Sequence, residues 1–156
     1  MCESMSSIFE GSNASRVAKE FSNRVWLSWT NRGHQPDQLP STEALSKAVD
    51  FSIEADVECT LINCSHADMA SNSIKELKRA SRFGIFANSS TFKEVDLSIA
   101  TKDVDAIHHL NSEKISAKEY AMIALSWVKE GAFVIGGCCG TTVEHTREIK
   151  LLMDSL

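Results

Sequence analysis

The stretch AFVIGGCCGTT, residues 132–142, decides how the rest of the chain is interpreted. Its first four residues are apolar and suit a buried β-strand, and a threonine at its end can begin a helix. Such a strand-to-helix junction is where parallel α/β folds bind ligands. Cys138 and Cys139 occupy the junction. Because successive strand residues face opposite sides, both thiols reach one ion only if the backbone bends, which the glycines permit: Gly136, Gly137 and Gly140.

The remaining sequence alternates short apolar runs with longer amphipathic stretches. Three further runs are typical of buried strands: 25–30 (VWLSWT), 59–63 (CTLIN) and 83–87 (FGIFA). Apolar periodicity predicts five helices. The first covers 13–21, the second runs from a cap at Ser41 or Thr42 to about Ala55, and the third covers 70–81. The fourth begins at a Ser116–Glu119 capping box, and the fifth begins at Thr141 or Thr142. One helix followed by four strand–helix units indicates an α/β fold with a parallel sheet.

Composition excludes several classes of function. The chain has 156 residues and a formal net charge of −5, with no cluster of Lys and Arg, so nucleic-acid binding is disfavoured. No apolar run approaches the ~20 residues that span a bilayer, which also disfavours a membrane role. Residues 1–10 include two acids and no basic residue, unlike a secretory signal. A cytoplasmic location is therefore expected.

The chain contains five cysteines, an odd number that suits metal chemistry better than a disulfide framework. Cys64 directly follows the run 59–63, at the end of the predicted strand. It should therefore lie at the same edge of the sheet as Cys138 and Cys139, which gives three candidate metal ligands. Cys59 begins that run, so we expect it to be an inert buried thiol. A phosphate-binding loop is the alternative, but phosphate requires no cysteine.

Several motifs resemble those of the homocysteine S-methyltransferase family. GGCCGTT followed by Val143-Glu144-His145 is similar to the family's GGCCGT-x-P-x-H signature, with Val143 in place of proline. Asn63-Cys64 resembles its NC strand end, and Ala87-Asn88-Ser89 resembles part of its YPNSG segment. Weaker matches extend the resemblance from Glu3, in a segment similar to the family's ET strand end, to about residue 153.

The resemblance implies a partial (β/α)8 barrel. Residues 1–156 would form roughly the last four strand–helix units, the C-terminal half of a homocysteine-binding domain. The resemblance also implies that zinc is the cofactor and that Cys64, Cys138 and Cys139 bind it. It further implies that Glu3 binds the amino group of homocysteine. The implied reaction is methyl transfer from a sulfonium or quaternary ammonium donor to the homocysteine thiol, which forms methionine.

The chain departs from the family in extent. A barrel of this class needs ~250 residues, and the family's first strand with its Asp-Gly-Gly signature has no counterpart here. We therefore expect unpaired strand edges at 25–30 and 132–135, and self-association or pairing with a complementing half-barrel. A catalytically inactive zinc-binding half-barrel, or a partner module, is the alternative function.

Other conspicuous side chains have ordinary interpretations. Trp26 and Trp29 could face a cationic methyl donor, but packing in a strand is the commoner role. Trp127 lies on an apolar helix face and should pack in the core. His108 and His109 fall in the polar excursion 99–112 and are expected to be solvated. His145 should support its helix rather than bind metal.

Overall fold

The computed structural model describes residues 1–33, 35–92 and 112–155. Its main strands are β1 (Cys2–Met5), β2 (Trp26–Trp29), β3 (Cys59–His66), β4 (Phe83–Asn88) and β7 (Val134–Gly137). They form one parallel sheet in the order β1-β2-β3-β4-β7. A separate antiparallel pair joins β5 (Ser90–Phe92) to β6 (Ser112–Lys114). The parallel α/β architecture predicted from the sequence is confirmed.

Within the described residues, six helices accompany the strands: α1 (Ile8–Phe21), α2 (Leu45–Glu54), α3 (Ala67–Asn72), α4 (Ile74–Leu77), α5 (Ala117–Lys129) and α6 (Val143–Asp154). The predicted capping box of α5 is confirmed, because Ser116 accepts from the Glu119 amide and the Glu119 carboxylate accepts from the Ser116 amide. None of the helices in the described part of the chain is long and apolar enough to cross a membrane.

The strand count and one sheet edge differ from the prediction. The part of the chain that the structure describes has five parallel strands rather than four, because β1 pairs with β2 through Cys2 opposite Leu27 and Met5 opposite Trp29. The predicted edge at 25–30 is therefore wrong, and β1 is the edge strand instead. β1 has only four residues and no continuous apolar run, so its strand conformation depends on the pairing and on burial of Met5.

The helix predicted at 70–81 is two short helices separated at Ser73. The Ser73 hydroxyl lies 3.0 Å from the Met69 carbonyl oxygen and 2.9 Å from that of Pro36. It also accepts a hydrogen bond from the Asn31 carboxamide nitrogen. A buried serine that bonds to the backbone competes with regular helical pairing. The contact also ties the loop at 31–40, whose Leu39 is fully buried, to the helical layer.

The core lies between the sheet and its helices, and two tryptophans are fully buried in it. Trp29 donates to the Ser52 hydroxyl at 3.0 Å, and Trp127 donates to the Ser71 hydroxyl at 2.7 Å. Each indole therefore buries its ring without leaving its N–H unpaired. Because no cation can reach Trp29, the idea that it faces a cationic ligand is wrong, and the packing role expected for Trp127 is confirmed.

A network of hydrogen bonds and ion pairs surrounds Glu58 at the amino-terminal end of the sheet. The Glu58 carboxylate accepts two hydrogen bonds from the Arg24 Nε and Nη2 atoms, at 3.0 and 2.9 Å, and one from the Trp26 indole at 2.8 Å. Arg82 lies 3.3 Å from the same carboxylate and stacks over Phe133, with its guanidinium carbon 4.7 Å from the ring centre. Trp26 is thus engaged far from the carboxyl ends of the strands.

The Glu58 network predicts a pH dependence of stability. Hydrogen bonds from Arg24, and then from Trp26, hold the pKa of Glu58 below its ordinary value of 4.5. A carboxyl whose pKa is lowered by folding stabilises the fold above its unfolded pKa, and that contribution is lost as the pH falls through its folded pKa. Glu58→Gln should therefore lower the melting temperature at pH 7 and weaken its decline below pH 4.5.

Thermal melts of both proteins between pH 7 and pH 3 make this measurement. Glu20→Gln is the matched control, because Glu20 is exposed and forms an i,i+4 pair with Arg16 at 3.8 Å, which contributes little to stability. Parallel melting curves for Glu58→Gln and the unmodified chain across this range would contradict the assignment.

Candidate metal centre

The structure brings together the three cysteines that the sequence analysis selected. Cys64 lies near the end of β3, and Cys138 and Cys139 directly follow β7. The Cys64 sulfur is 3.0 Å from that of Cys138 and 3.6 Å from that of Cys139, and all three lie within 4.8 Å of one another. Cys64 and Cys138 are half-buried, whereas Cys139 is exposed. The cluster therefore sits at the carboxyl edge of the sheet and remains accessible from solvent.

The backbone of β3 leaves regular strand geometry at this point. Cys64 has a φ of +53°, and the pairing of β3 with β4 shifts register between Asn63 and His66. A positive φ is uncommon for a residue other than glycine and costs about 1–3 kcal/mol. Ser4, on β1, has a similar φ of +59°. The two strained residues are joined through Asn63, whose carboxamide oxygen accepts from the Ser4 amide at 3.0 Å.

The loop after β7 is fixed by hydrogen bonds to β4 and the residue that follows it. Cys138 donates its amide to the Ala87 carbonyl oxygen at 2.8 Å, and Cys139 donates to the Asn88 carboxamide oxygen at 3.0 Å. The Ser89 amide donates to the Cys139 carbonyl oxygen at 3.0 Å. The Thr141 hydroxyl donates to the Cys138 carbonyl oxygen at 2.7 Å. The two adjacent cysteines are therefore held by their backbones, which leaves both sulfurs free to act as ligands.

The three glycines of this loop have different tasks. Gly140 has a φ of +78°, so it supplies the left-handed conformation that the turn requires. At Gly137, an added Cβ would lie 2.4 Å from the Thr141 hydroxyl oxygen, and at Gly136 it would lie 2.8 Å from the Phe86 ring. These two glycines provide space rather than a bend, which corrects the reason that the sequence analysis gave for them.

The local environment keeps the Cys64 thiol protonated in the metal-free protein. Burial and the neighbouring Cys138 raise the pKa of Cys64 to about 12. A metal ion binds the thiolate, so occupation of the cluster would release protons. Tyr120 lies behind the loop, with its hydroxyl 2.8 Å from both the Ala87 and the Gly136 carbonyl oxygens. Because burial raises the pKa of Tyr120 as well, it stays neutral and braces the strands.

The other candidate side chains lie outside the cluster. Cys59 is fully buried at the start of β3, and burial raises its pKa to about 12, which agrees with the expected inert thiol. Cys2 packs against the core. The His145 Nδ1 atom accepts from the Thr142 amide at 3.1 Å and so caps α6, as expected for a supporting role. His108 and His109 lie outside the described residues.

Glu3 is exposed on β1, one residue before Ser4. Its carboxylate forms no hydrogen bond or ion pair within the described ranges, so no contact in the structure tests its predicted binding of an amino group. The sequence analysis identified the segment at Glu3 as similar to the family's ET strand end, with Ser4 in place of threonine, but it missed the bonds between Ser4 and Asn63, because these depend on how the strands pair. The role of Asn63 could have been predicted, since an asparagine in an apolar strand needs hydrogen-bond partners for its carboxamide when it is buried.

A cleft of about 290 Å³ opens beside the cluster. Residues from the strand ends and from the β5–β6 pair line it: Asn31, Gly33, Cys64, Ser65, His66, Asn88, Ser89, Ser90, Lys114, Cys139 and Gly140. The His66 ring is fixed in the wall by a 2.9 Å hydrogen bond between its Nδ1 atom and the Ser90 hydroxyl. The cleft therefore gives a small polar molecule direct access to two of the three sulfurs.

The donor set fits a metal ion that prefers sulfur. Zinc–sulfur bonds are about 2.3 Å long, so tetrahedral ligands place their sulfurs roughly 3.8 Å apart. The observed separations of 3.0 and 3.6 Å are shorter than that value, and all three sulfurs lie within 4.8 Å of one another, so a small outward movement of Cys64 would admit the ion. Three cysteines beside a cleft leave room for a fourth ligand, whereas a closed structural zinc site has four protein ligands.

Comparisons with known proteins agree with this chemistry. A family model described as homocysteine S-methyltransferase matches residues 1–153. Homocysteine S-methyltransferase YbgG of Bacillus subtilis (strain 168) is 26% identical over 158 residues, which cover 99% of this chain and 46% of that protein.

Solved structures of the homocysteine methyltransferase MmuM from Escherichia coli share part of the fold. The apo form matches with a TM-score of 0.69 and 19% identity, over 96% of this chain and 48% of that one. The metallated form matches with a TM-score of 0.67 and 19% identity, over 96% of this chain and 43% of that one. The chain thus spans about half the length of the relatives it matches. Because the family model covers nearly all of it, the chain belongs to the homocysteine S-methyltransferase family.

Proposed function

We propose that this chain supplies the zinc-binding half of an enzyme that transfers a methyl group to the thiol of homocysteine and forms methionine. The observation that carries the proposal is the convergence of three cysteine sulfurs within 4.8 Å at the carboxyl edge of a parallel sheet. Membership of the family supports the substrate. In this proposal residues 1–156 are the C-terminal half of a (β/α)8 barrel, because the signature GGCCGTT follows the last strand of the sheet.

Cys64, Cys138 and Cys139 would hold the ion. A zinc ion held by these three thiolates would have a fourth position for the homocysteine thiol, and it would lower the pKa of that thiol and keep the sulfur nucleophilic at neutral pH. The chain aligns the reactants: Asn63 and Asn88 fix the ligand-bearing backbones, and the cleft admits the substrate beside Cys64 and Cys139.

The substrate thiolate would attack the methyl carbon of a sulfonium or quaternary ammonium donor. A sulfur–carbon bond forms, and the bond from the methyl carbon to the donor atom breaks with its electron pair remaining on that atom. The donor therefore leaves as a neutral thioether or amine. Glu3 is proposed to pair with the ammonium group of homocysteine, since it is exposed on β1 and precedes Ser4, whose amide bonds to Asn63, the residue before Cys64.

The first prediction from this proposal is one zinc ion per chain. Cys64→Ser, Cys138→Ser and Cys139→Ser should each weaken zinc binding by more than the roughly 10–100-fold that loss of an outer hydrogen-bond partner costs. Cys59→Ser is the matched control, because Cys59 lies at the opposite end of β3. Metal analysis after dialysis against a chelator gives the stoichiometry. Full zinc retention in the three variants, or its loss in Cys59→Ser, would refute the assignment.

The second prediction concerns the rate of the chain by itself. Misplacing a reactant by about 1 Å can lower the reaction rate ~10²-fold. Half of a barrel would enclose the substrate on one side only and would hold it poorly. The purified chain loaded with zinc should therefore turn over far below the ordinary 1–10³ s⁻¹. Methionine formation from homocysteine and S-methylmethionine is the assay, with Cys64→Ser as the background. An ordinary enzymatic rate would show that this chain forms a complete pocket.

A partner module is the second candidate function, and the surface of the sheet favours it. Both edge strands, β1 and β7, lie beside exposed apolar side chains. Phe9 and Phe21 on α1 are 78% and 84% exposed, and Phe133 before β7 is 54% exposed. Unpaired strand edges invite pairing with another chain. A complementing half-barrel or a second copy of the chain would cover these surfaces.

The third prediction is therefore that the chain associates. Burying apolar surface is worth ~25 cal/mol per Å², so covering a few hundred Å² adds several kcal/mol. Light scattering at micromolar concentration should report a dimer or a larger species. Phe21→Asp should weaken the association, whereas Glu20→Gln beside it should not. A compact monomer with a cooperative melt at that concentration would contradict the prediction.

A further inference from the structure

Lys114 brings a positive charge to the wall of the cleft beside the cysteine cluster. Among the described residues that line the cleft, no other is lysine or arginine, and none is aspartate or glutamate. Lys114 forms no ion pair with any residue that the structure describes. In a chain whose formal net charge is −5, this wall therefore combines an unpaired ammonium group with an absence of carboxylates.

The pairing of β5 with β6 determines the direction in which Lys114 projects. The two strands are antiparallel, and Lys114 lies directly opposite Ser90. Side chains that are directly opposite project from the same face of such a pair. The Ser90 hydroxyl is 2.9 Å from the Nδ1 atom of His66, and both residues line the cleft. Lys114 therefore projects from the face that is turned to the cleft, whereas the neighbouring Glu113 projects from the other face.

Backbone hydrogen bonds hold this lysine close to the metal-binding loop. The Ser89 amide donates to the Cys139 carbonyl oxygen at 3.0 Å, and the Ile115 amide donates to the Ser89 carbonyl oxygen at 3.2 Å. On the side of α3, the Phe92 amide donates to the Asp68 carboxylate at 3.0 Å. The β5–β6 pair is thereby tied both to the loop that carries Cys139 and to the helical layer, so the ammonium group stays beside the cluster.

An ammonium group in this position suits a carboxylate. Charge-assisted hydrogen bonds between the two groups are stronger than neutral ones. The cleft holds about 290 Å³, so a small amino acid whose sulfur lies at the cluster has its remaining groups against these walls. Homocysteine carries a carboxylate, and so does the methyl donor S-methylmethionine.

We propose that Lys114 is a specificity-determining residue that pairs with the carboxylate of an amino-acid reactant in the cleft. It favours amino acids over thiols and sulfonium compounds of similar size that lack a carboxylate. The carboxylate belongs either to homocysteine or to the methyl donor, and the test separates these two sources. This inference rests on the proposed function, because it takes the cluster as the place where the reactants meet.

The test removes the charge from the protein and the carboxylate from the ligand. The full chain, loaded with Zn²⁺, is titrated by calorimetry with L-homocysteine, with S-methylmethionine, and with aminopropanethiol, which is homocysteine without its carboxylate. Lys114→Gln removes the positive charge, and Lys114→Arg keeps it. Lys129→Gln is the matched control, because Lys129 is an exposed lysine at the end of α5 and does not line the cleft.

Lys114→Gln should bind at least one of the two amino acids about tenfold more weakly, between the effects of an exposed ion pair and of a hydrogen bond to a charged group. Weaker binding of homocysteine identifies the substrate as the source of the carboxylate, and weaker binding of S-methylmethionine identifies the donor. Aminopropanethiol should bind every variant equally. Lys114→Arg should restore most of the lost affinity, and Lys129→Gln should retain all of it. Added salt should reduce the difference between Lys114→Gln and the unmodified chain.

Two results would overturn the inference while the proposed function stands. One is an unchanged affinity of Lys114→Gln for both amino acids. The other is an equal loss of affinity for homocysteine and aminopropanethiol, since the lysine would then act on the cluster rather than on a carboxylate. If the unmodified chain binds no zinc, or binds neither amino acid when loaded, the proposed function fails and the inference fails with it.

Discussion

The carboxamide of Asn63 is the contact on which the geometry of the cluster depends. It joins β1, β2 and β3 through bonds to Ser4 and Ser28 at the point where β3 departs from regular pairing with β4. The positive φ angles of Ser4 and Cys64 would each cost about 1–3 kcal/mol in isolation. They persist because buried hydrogen bonds on both sides determine them. Without that constraint, Cys64 would follow the alternation of the strand and turn its sulfur away from the loop after β7.

The two ends of the sheet carry different chemistry. At the amino-terminal end, the Glu58 carboxylate is hydrogen-bonded or paired with Arg24, Trp26 and Arg82. At the carboxyl end, strained backbone, a cluster of three cysteines and an open cleft occur together. In barrels and other parallel α/β folds the carboxyl end is the functional one and the opposite end serves stability. The distribution of strain and of partnered charge in this chain follows the same division.

The parts of the structure that depend on local sequence were predictable. The apolar run and the glycine loop placed Cys138 and Cys139 after a strand, and parallel strands necessarily bring Cys64 to the same edge. The parts that depend on distant contacts were not. β1 becomes a strand only by pairing with β2, and the helix break at Ser73 requires the hydroxyl bond to Pro36, which lies on another loop. The β5–β6 pair likewise has no local signal.

The account stands on the claim that three thiolates of this chain bind one metal ion. X-ray absorption at the zinc edge of the loaded protein tests it most directly, because the number and type of scattering neighbours can be counted without any assumption about activity. We expect three sulfur neighbours at about 2.3 Å and one lighter atom. A first shell of nitrogen and oxygen alone, or a sulfur count that is unchanged in Cys64→Ser, would contradict the account.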